Sequence, residues 1–246
     1  GKHQELPRER WKLYDHAASV LIQHWDVNKH LKFENIEADF IGEDDKKELL
    51  RRLAYRMQSG GGGLAGNYIH REGLQEEFEN YLEERYTQTP DRAKRIADAM
   101  IQQFRERNFI LSLYGANLYG FVHRAFLEFF CAYAFVWRFE KTKELTIEQL
   151  QTNVYGRHWN DPSWREVLRL FCGMIDEKWA AQLIEYLVPI VYEKTGNDAE
   201  DFLNSLMIYR AVQNQARMNN RTDYENSGND EEDLVNSLMI LRAVQG

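Results

Sequence analysis

Along most of this chain bulky side chains recur every three or four residues, and then the period changes. NFILSLYGANLYGFVHR (108–124) carries short apolar runs on either side of Gly115-Ala116-Asn117, the pattern of a β-hairpin. That one break constrains the fold more than any helix does, because three helices followed by a hairpin is the layout of a winged helix. The expected fold class is therefore mainly α: a helical bundle with a winged-helix subdomain whose wing is a short β-hairpin, followed by HEAT-like helices.

The helical stripes are clear on both sides of the hairpin. From Pro7, the residues Trp11, Tyr14, Ala18, Leu21, Ile22 and Trp25 line one face, with the proline suited to a first helical turn. A second helix is predicted from Asp44 to Met57 with Leu49, Leu50, Leu53 and Met57 inward. A third runs over Arg71–Tyr86, with Leu74, Phe78, Tyr81 and Leu82 on one side. A fourth, Arg92–Arg107, turns Ile96, Met100, Ile101 and Phe104 inward. After the hairpin, Ala125–Phe139 is apolar on nearly all sides and reads as buried between layers. A polar bridge (141–158) leads to Asn160-Asp161-Pro162, a helix start followed by Trp164, Val167, Leu168, Leu170 and Phe171, and then to a helix over Lys178–Glu193.

These readings divide the chain into a leading helical segment (1–43), a winged-helix domain (44–139), a helical-repeat-like region (140–195) and a tail (196–246). The tail is a duplication: GNDAEDFLNSLMIYRAVQ (196–213) returns as GNDEEDLVNSLMILRAVQ (228–245), differing only at Ala199, Phe202, Leu203 and Tyr209. Each copy reads as an amphipathic helix on a polar tether, suited to engaging a protein partner.

With 31 basic against 39 acidic residues and a net charge of −8, the composition disfavours phosphate backbones and anionic membranes as partners. No apolar run approaches the roughly 20 residues of a membrane span, and no signal peptide is visible, so a cytoplasmic location is expected. The chain opens at GKHQELP without a methionine and reads as a piece of something larger. Cys131 and Cys172 sit in apolar helical patterns, as buried thiols of a reducing compartment do.

Seven histidines are scattered, with no H-E-x-x-H and no C-x-x-C beside them, so no metal site is expected. No G-x-S-x-G elbow and no Walker A lysine loop occur either. Gly61, Gly63 and Gly66 form G-x-G-x-x-G, but a helix precedes them where a dinucleotide loop needs a strand, and the run reads as a connector. His123 stands apart: it falls where the hairpin ends and the apolar helix begins, with Arg124 and Glu128 placed for an i, i+4 pair. Periodicity alone favours a histidine satisfied by a nearby carbonyl or carboxylate.

FVHRAFLEFFCA resembles the signature that closes the winged-helix region of NACHT-type STAND NTPases, with Phe121, His123, Phe126, Glu128, Phe129, Phe130 and Ala132 matching. ELPRERWKLYDHAASVLIQHWD resembles the helix after the nucleotide-binding core of the same family, through Leu6, Pro7, Arg10, Leu13, Tyr14, Trp25 and Asp26. The resemblance covers about residues 5–135 and is absent from the duplicated tail. It implies that His123 contacts the β-phosphate of ADP and helps hold a closed, inactive state. It also implies ADP or ATP with Mg as cofactors of a longer parent NTPase, self-oligomerisation on activation, and an immune or antiphage switch. The P-loop core is missing from the chain, so no catalytic residue and no hydrolysis are expected of it. Two alternatives stand beside this reading. One is a winged-helix DNA-binding protein using Arg92, Lys94, Arg95, Arg105 and Arg107, although the tip Tyr114–Asn117 offers no cation for phosphate. The other is a helical-repeat adaptor that docks through 196–246.

Overall fold

The computed structural model describes residues 10–25, 41–60, 66–106 and 110–193. The glycine run at 61–65 and the duplicated tail lie outside the described residues. Two compact units result, one within Ala18–Lys141, the other within Gly1–Ala17 and Thr142–Gly246; helix α1 (Arg10–Gln23) spans the boundary in sequence.

The larger unit carries α2 (Glu43–Ser59), β1 (Tyr68–His70), α3 (Arg71–Tyr86), α4 (Pro90–Glu106), β2 (Leu111–Gly115), β3 (Leu118–Phe121) and α5 (Arg124–Val136), which passes into a π-helical turn, Trp137–Lys141. The strands form one antiparallel sheet in the order β1-β3-β2. A helix, a strand, two helices and a hairpin whose second strand lies between the other two make the winged-helix arrangement, and the expected fold class holds. The hairpin is where the sequence places it. Its central pair, Ala116 and Asn117, has φ of 40° and 65°, the left-handed conformation that matches the twist of two joined strands. What the sequence reading lacks is β1: Tyr68, Ile69 and His70 pair with Gly120, Tyr119 and Leu118. Three residues are too few to show a period of two.

The stripes predicted from sequence form the core. Leu49, Leu50, Leu53, Leu74, Phe78, Leu82, Ile96, Met100, Ile101 and Phe104 are all buried. Trp25 lies among them, its ring 4.9 Å from that of Phe104 and 6.2 Å from that of Phe78. Helix α5 is apolar nearly all round because α2 covers one side and β3 approaches another; Tyr55 meets Phe135 edge to face at 5.5 Å, and Phe121 stacks on Phe130 at 6.1 Å. Arg51, almost fully buried on α2, lies 4.0 Å from the Trp137 ring and 4.9 Å from that of Tyr133 while pairing with Glu48. A flat, weakly hydrated guanidinium can do this where an ammonium could not. Ion pairs on α2 join both chain neighbours and the next helix: Arg52 pairs with Glu48 at 3.0 Å and with Glu84 at 2.7 Å, and Arg56 with Glu76 at 2.6 Å.

The second unit corrects one reading. The stretch 147–158 (α6), read as part of a polar bridge, is helical and contributes buried side chains. Thr146 and Gln149 close a reciprocal capping box, and Leu150–Tyr155 is π-helical. Leu150 and Tyr155 are both fully buried although five residues apart. Val154 is buried as well, and the i→i+5 turn brings Tyr155 to the same side as Leu150, a spacing the helical period of three and four does not give. The Tyr155 hydroxyl donates to the Leu168 carbonyl at 2.7 Å and lies 3.0 Å from Cys172 Sγ, which ties α7 (Arg165–Met174) to this stretch. Helix α8 (Glu177–Glu193) approaches it at Gly156, where a Cβ would stand 2.9 Å from the Tyr186 hydroxyl. The start of α7 falls later than Asn160-Asp161-Pro162, because Asp161 spends its carboxylate on the Ser163 N–H and hydroxyl.

The N-terminus of α2 is fixed by a polar cluster. Asp45 accepts from Gly42 N at 2.7 Å, from the Tyr81 hydroxyl at 2.5 Å and from the Tyr86 hydroxyl at 2.6 Å. Burial and the Asp45 carboxylate together push both phenols up, Tyr86 to about 12. A raised folded-state value means the stabilisation is full below the ordinary tyrosine value near 10 and is lost as pH rises through the folded value. Stability should therefore decline between about pH 10 and pH 12, and Tyr81→Phe combined with Tyr86→Phe should remove that part of the decline. Tyr81→Phe alone should cost about 1.5–3 kcal/mol at neutral pH, the range for a hydrogen bond to a charged group, measured by urea unfolding.

Candidate functional site

The candidate site is the corner where β3 hands over to α5. The Val122 N–H donates to the Ile110 carbonyl at 3.0 Å, extending the hairpin by one bond. His123 follows in extended conformation (φ −136°, ψ 136°) as the N-cap of α5, its carbonyl accepting from Phe126 N at 3.0 Å. Its side chain is exposed and makes no capping hydrogen bond. The ring centroid lies 6.4 Å from that of Phe126, the ring's aromatic neighbour at the edge of the core. The sequence reading of His123 as a residue at or just before the first helical turn agrees with this placement. The alternative of a histidine satisfied by a nearby carbonyl or carboxylate finds no such bond among the described residues.

Arg124 is the pivot next to it. Its Nε donates to Glu128 at 2.8 Å, the i, i+4 pair expected from sequence, and its Nη1 donates to Asn67 Oδ1 at 2.9 Å. The second bond joins the first turn of α5 to the residue before β1, 57 positions upstream. No acidic residue stands in that first turn. The free N–H groups of a helix start carry partial positive charge, so an exposed imidazole beside them, with no carboxylate in that turn, makes a corner suited to an anion.

On the outer face of the sheet, next to this corner, stand Tyr68 and Tyr114, 48% and 49% exposed and the two large exposed hydrophobic residues among those described. Their rings meet edge to face at 5.1 Å. Between them is Gly120, paired with Tyr68 on one side and Ser112 on the other. A Cβ on Gly120 would come 2.6 Å from the Asn67 carbonyl oxygen, 3.1 Å from Tyr68 and 3.4 Å from Tyr114. Sequence reasoning missed Asn67, Tyr68, Tyr114 and Gly120. A glycine inside LYGF was the available signal, since glycine within a strand often marks a close approach of other groups.

The residues of the DNA-binding alternative are less well placed. On α4, Ala93, Ile96, Ala97, Ala99, Met100, Ile101, Gln103 and Phe104 are buried, and the exposed Lys94 and Arg95 are flanked by Asp91 and Asp98. Asp98 pairs with Arg71 at 2.6 Å. The side chain of Arg105, and Arg107, fall outside what is described.

Among the described residues no group of three His, Cys, Asp or Glu side chains could hold a metal ion, and no helix is long and apolar enough to cross a membrane. Both cysteines are buried thiols outside any disulfide, and burial pushes the Cys131 thiol up, as for an inert core residue. Gly120→Ala should lower stability by about 1–3 kcal/mol, the cost of forcing an added group into a packed site, and should separate the Tyr68 and Tyr114 rings; thermal unfolding and aromatic NMR shifts measure the two effects. Comparison with known protein families, with characterised proteins and with solved structures returned no match for this chain.

Proposed function

We propose that this chain is the regulatory, non-catalytic portion of a NACHT-like signalling NTPase, a cytoplasmic nucleotide-dependent switch of the kind used in immune or antiphage defence. Its winged helix stabilises an ADP-bound inactive state, and the downstream helices sense or relay a signal. The observation that carries the reading is His123: an exposed imidazole, without a capping bond, at the N-terminus of α5. That is the position to which the family signature assigns the ADP phosphate contact.

The local chemistry fits an anion better than a cation. An imidazole N–H and the backbone N–H groups of a first helical turn donate to phosphate oxygens, and the helix dipole favours the negative charge. Arg124 is committed to Asn67 and Glu128, so it holds the backbone while His123 faces outward. The nucleotide-binding domain of the same protein would hold the rest of the ADP and the Mg, and the nucleotide would supply the signal through the presence or absence of its γ-phosphate. A contact made to ADP only in the closed state shifts the population toward that state by its differential free energy. Oligomerisation then follows release of the lock, and the duplicated tail is available to a protein partner.

The test is to express the chain together with the coding sequence upstream of Gly1 and to measure co-purified ADP and its release. His123→Ala should speed ADP loss about tenfold, the factor that corresponds to about 1.4 kcal/mol, and should raise basal activity. The proposal fails if the upstream sequence has no Walker A loop, or if the variant keeps ADP as the parent does.

A further inference from the structure

The outer face of the wing contains a device aimed at the His123 corner. Between Leu113 and Gly115 the β2–β3 register slips: Leu113 faces Tyr119, Gly115 faces Leu118, and Tyr114 is left over as the bulged residue. A bulge bends its strand and re-aims a side chain. Here the Tyr114 side chain lies across β3, over Gly120, and its hydroxyl reaches back to the last carbonyls before the corner, 3.1 Å from Phe121 O and 3.4 Å from Val122 O. The second of these is the carbonyl bonded to the His123 nitrogen.

Three independent features converge on this crossing. Gly120 leaves the room, since a Cβ there would press on both tyrosine rings. Tyr68, from the neighbouring edge strand, braces the Tyr114 ring edge to face. The two-residue turn and its bulge set the angle. Burial, and to a lesser degree Tyr68, hold the Tyr114 phenol above the usual tyrosine range, so it remains a donor at neutral pH. The side chain stays half exposed, so burial alone does not explain its placement.

We propose that Tyr114 is the positioning residue for His123: its hydroxyl ties down the Phe121–Val122 carbonyls on one side of the histidine, as Arg124 ties α5 to Asn67 on the other, and together they hold the imidazole where an anion meets the helix start. This role rests on the reading of His123 as a phosphate contact.

Tyr114→Phe tests it, because the variant keeps the ring that packs on Tyr68 and Gly120 and removes only the donor. In the 246-residue chain, amide exchange at Val122 and Phe126, whose N–H groups bracket His123, should quicken about fivefold, the factor of one ordinary hydrogen bond, while amides in α2 and the centre of α5 stay unchanged. Unaltered exchange at those two amides, or a uniform rise throughout the unit, overturns the proposal. In the ADP-loaded longer protein, Tyr114→Phe should speed ADP release alone and add little in the His123→Ala background. Equal acceleration in both backgrounds also overturns it. If His123→Ala itself leaves ADP release unchanged, the nucleotide reading fails, and the exchange measurement still decides whether Tyr114 holds the corner.

Discussion

Everything proposed for this chain depends on one short piece of strand pairing. Tyr68, Ile69 and His70 pair antiparallel with β3, and with them Asn67 comes to Arg124 and Tyr68 comes to Tyr114. Without β1 the hairpin would be a two-stranded ribbon, marginal in water, and the start of α5 would lose its tie to the residue before β1. The pairing also converts a loop-to-helix junction into a corner bounded on two sides. Arg71 N donates to the Asn117 carbonyl at 2.9 Å, so the end of β1 holds the tip of the wing as well.

The core explains why such a small sheet persists. Tyr119 and Phe121 turn inward from β3 while Gly120 faces out, and Phe121 stacks on Phe130 of α5. Helix α5 is therefore fixed to the sheet at its start and to α2 along its length, where Arg51 lies against Tyr133 and Trp137. A buried guanidinium is costly unless paired and surrounded, and here Glu48 and two aromatic faces surround it. A corner fixed in this way offers the preorganisation that the proposed contact, discriminating between two states, would require.

Much of the fold was legible from residue patterns. The stripes on α2, α3 and α4 are buried as their spacing predicts, and the hairpin sits where the period changes. The illegible parts share a cause. β1 is three residues long, below the length at which alternation can be seen. The π-helical stretch Leu150–Tyr155 buries Leu150 and Val154, and adds Tyr155 at a spacing of five, outside the period sought. For the candidate site, His123 and Arg124–Glu128 stood out because they are near neighbours in sequence, whereas Asn67, Tyr68 and Tyr114 became partners of the corner only through pairing across strands.

By itself the sequence determined the local matters: which residues turn inward on each helix, where the chain doubles back, that two cysteines are core residues, and that a histidine stands at the head of an apolar helix. Those follow from periodicity and turn chemistry, which act over a few residues. Tertiary structure alone decided that the wing has a third strand, that a bulge sends Tyr114 across Gly120, and that Arg124 reaches a residue 57 positions away. Contacts of that kind depend on register and on the space left by one missing Cβ, and neither is written in the order of residues along a single segment.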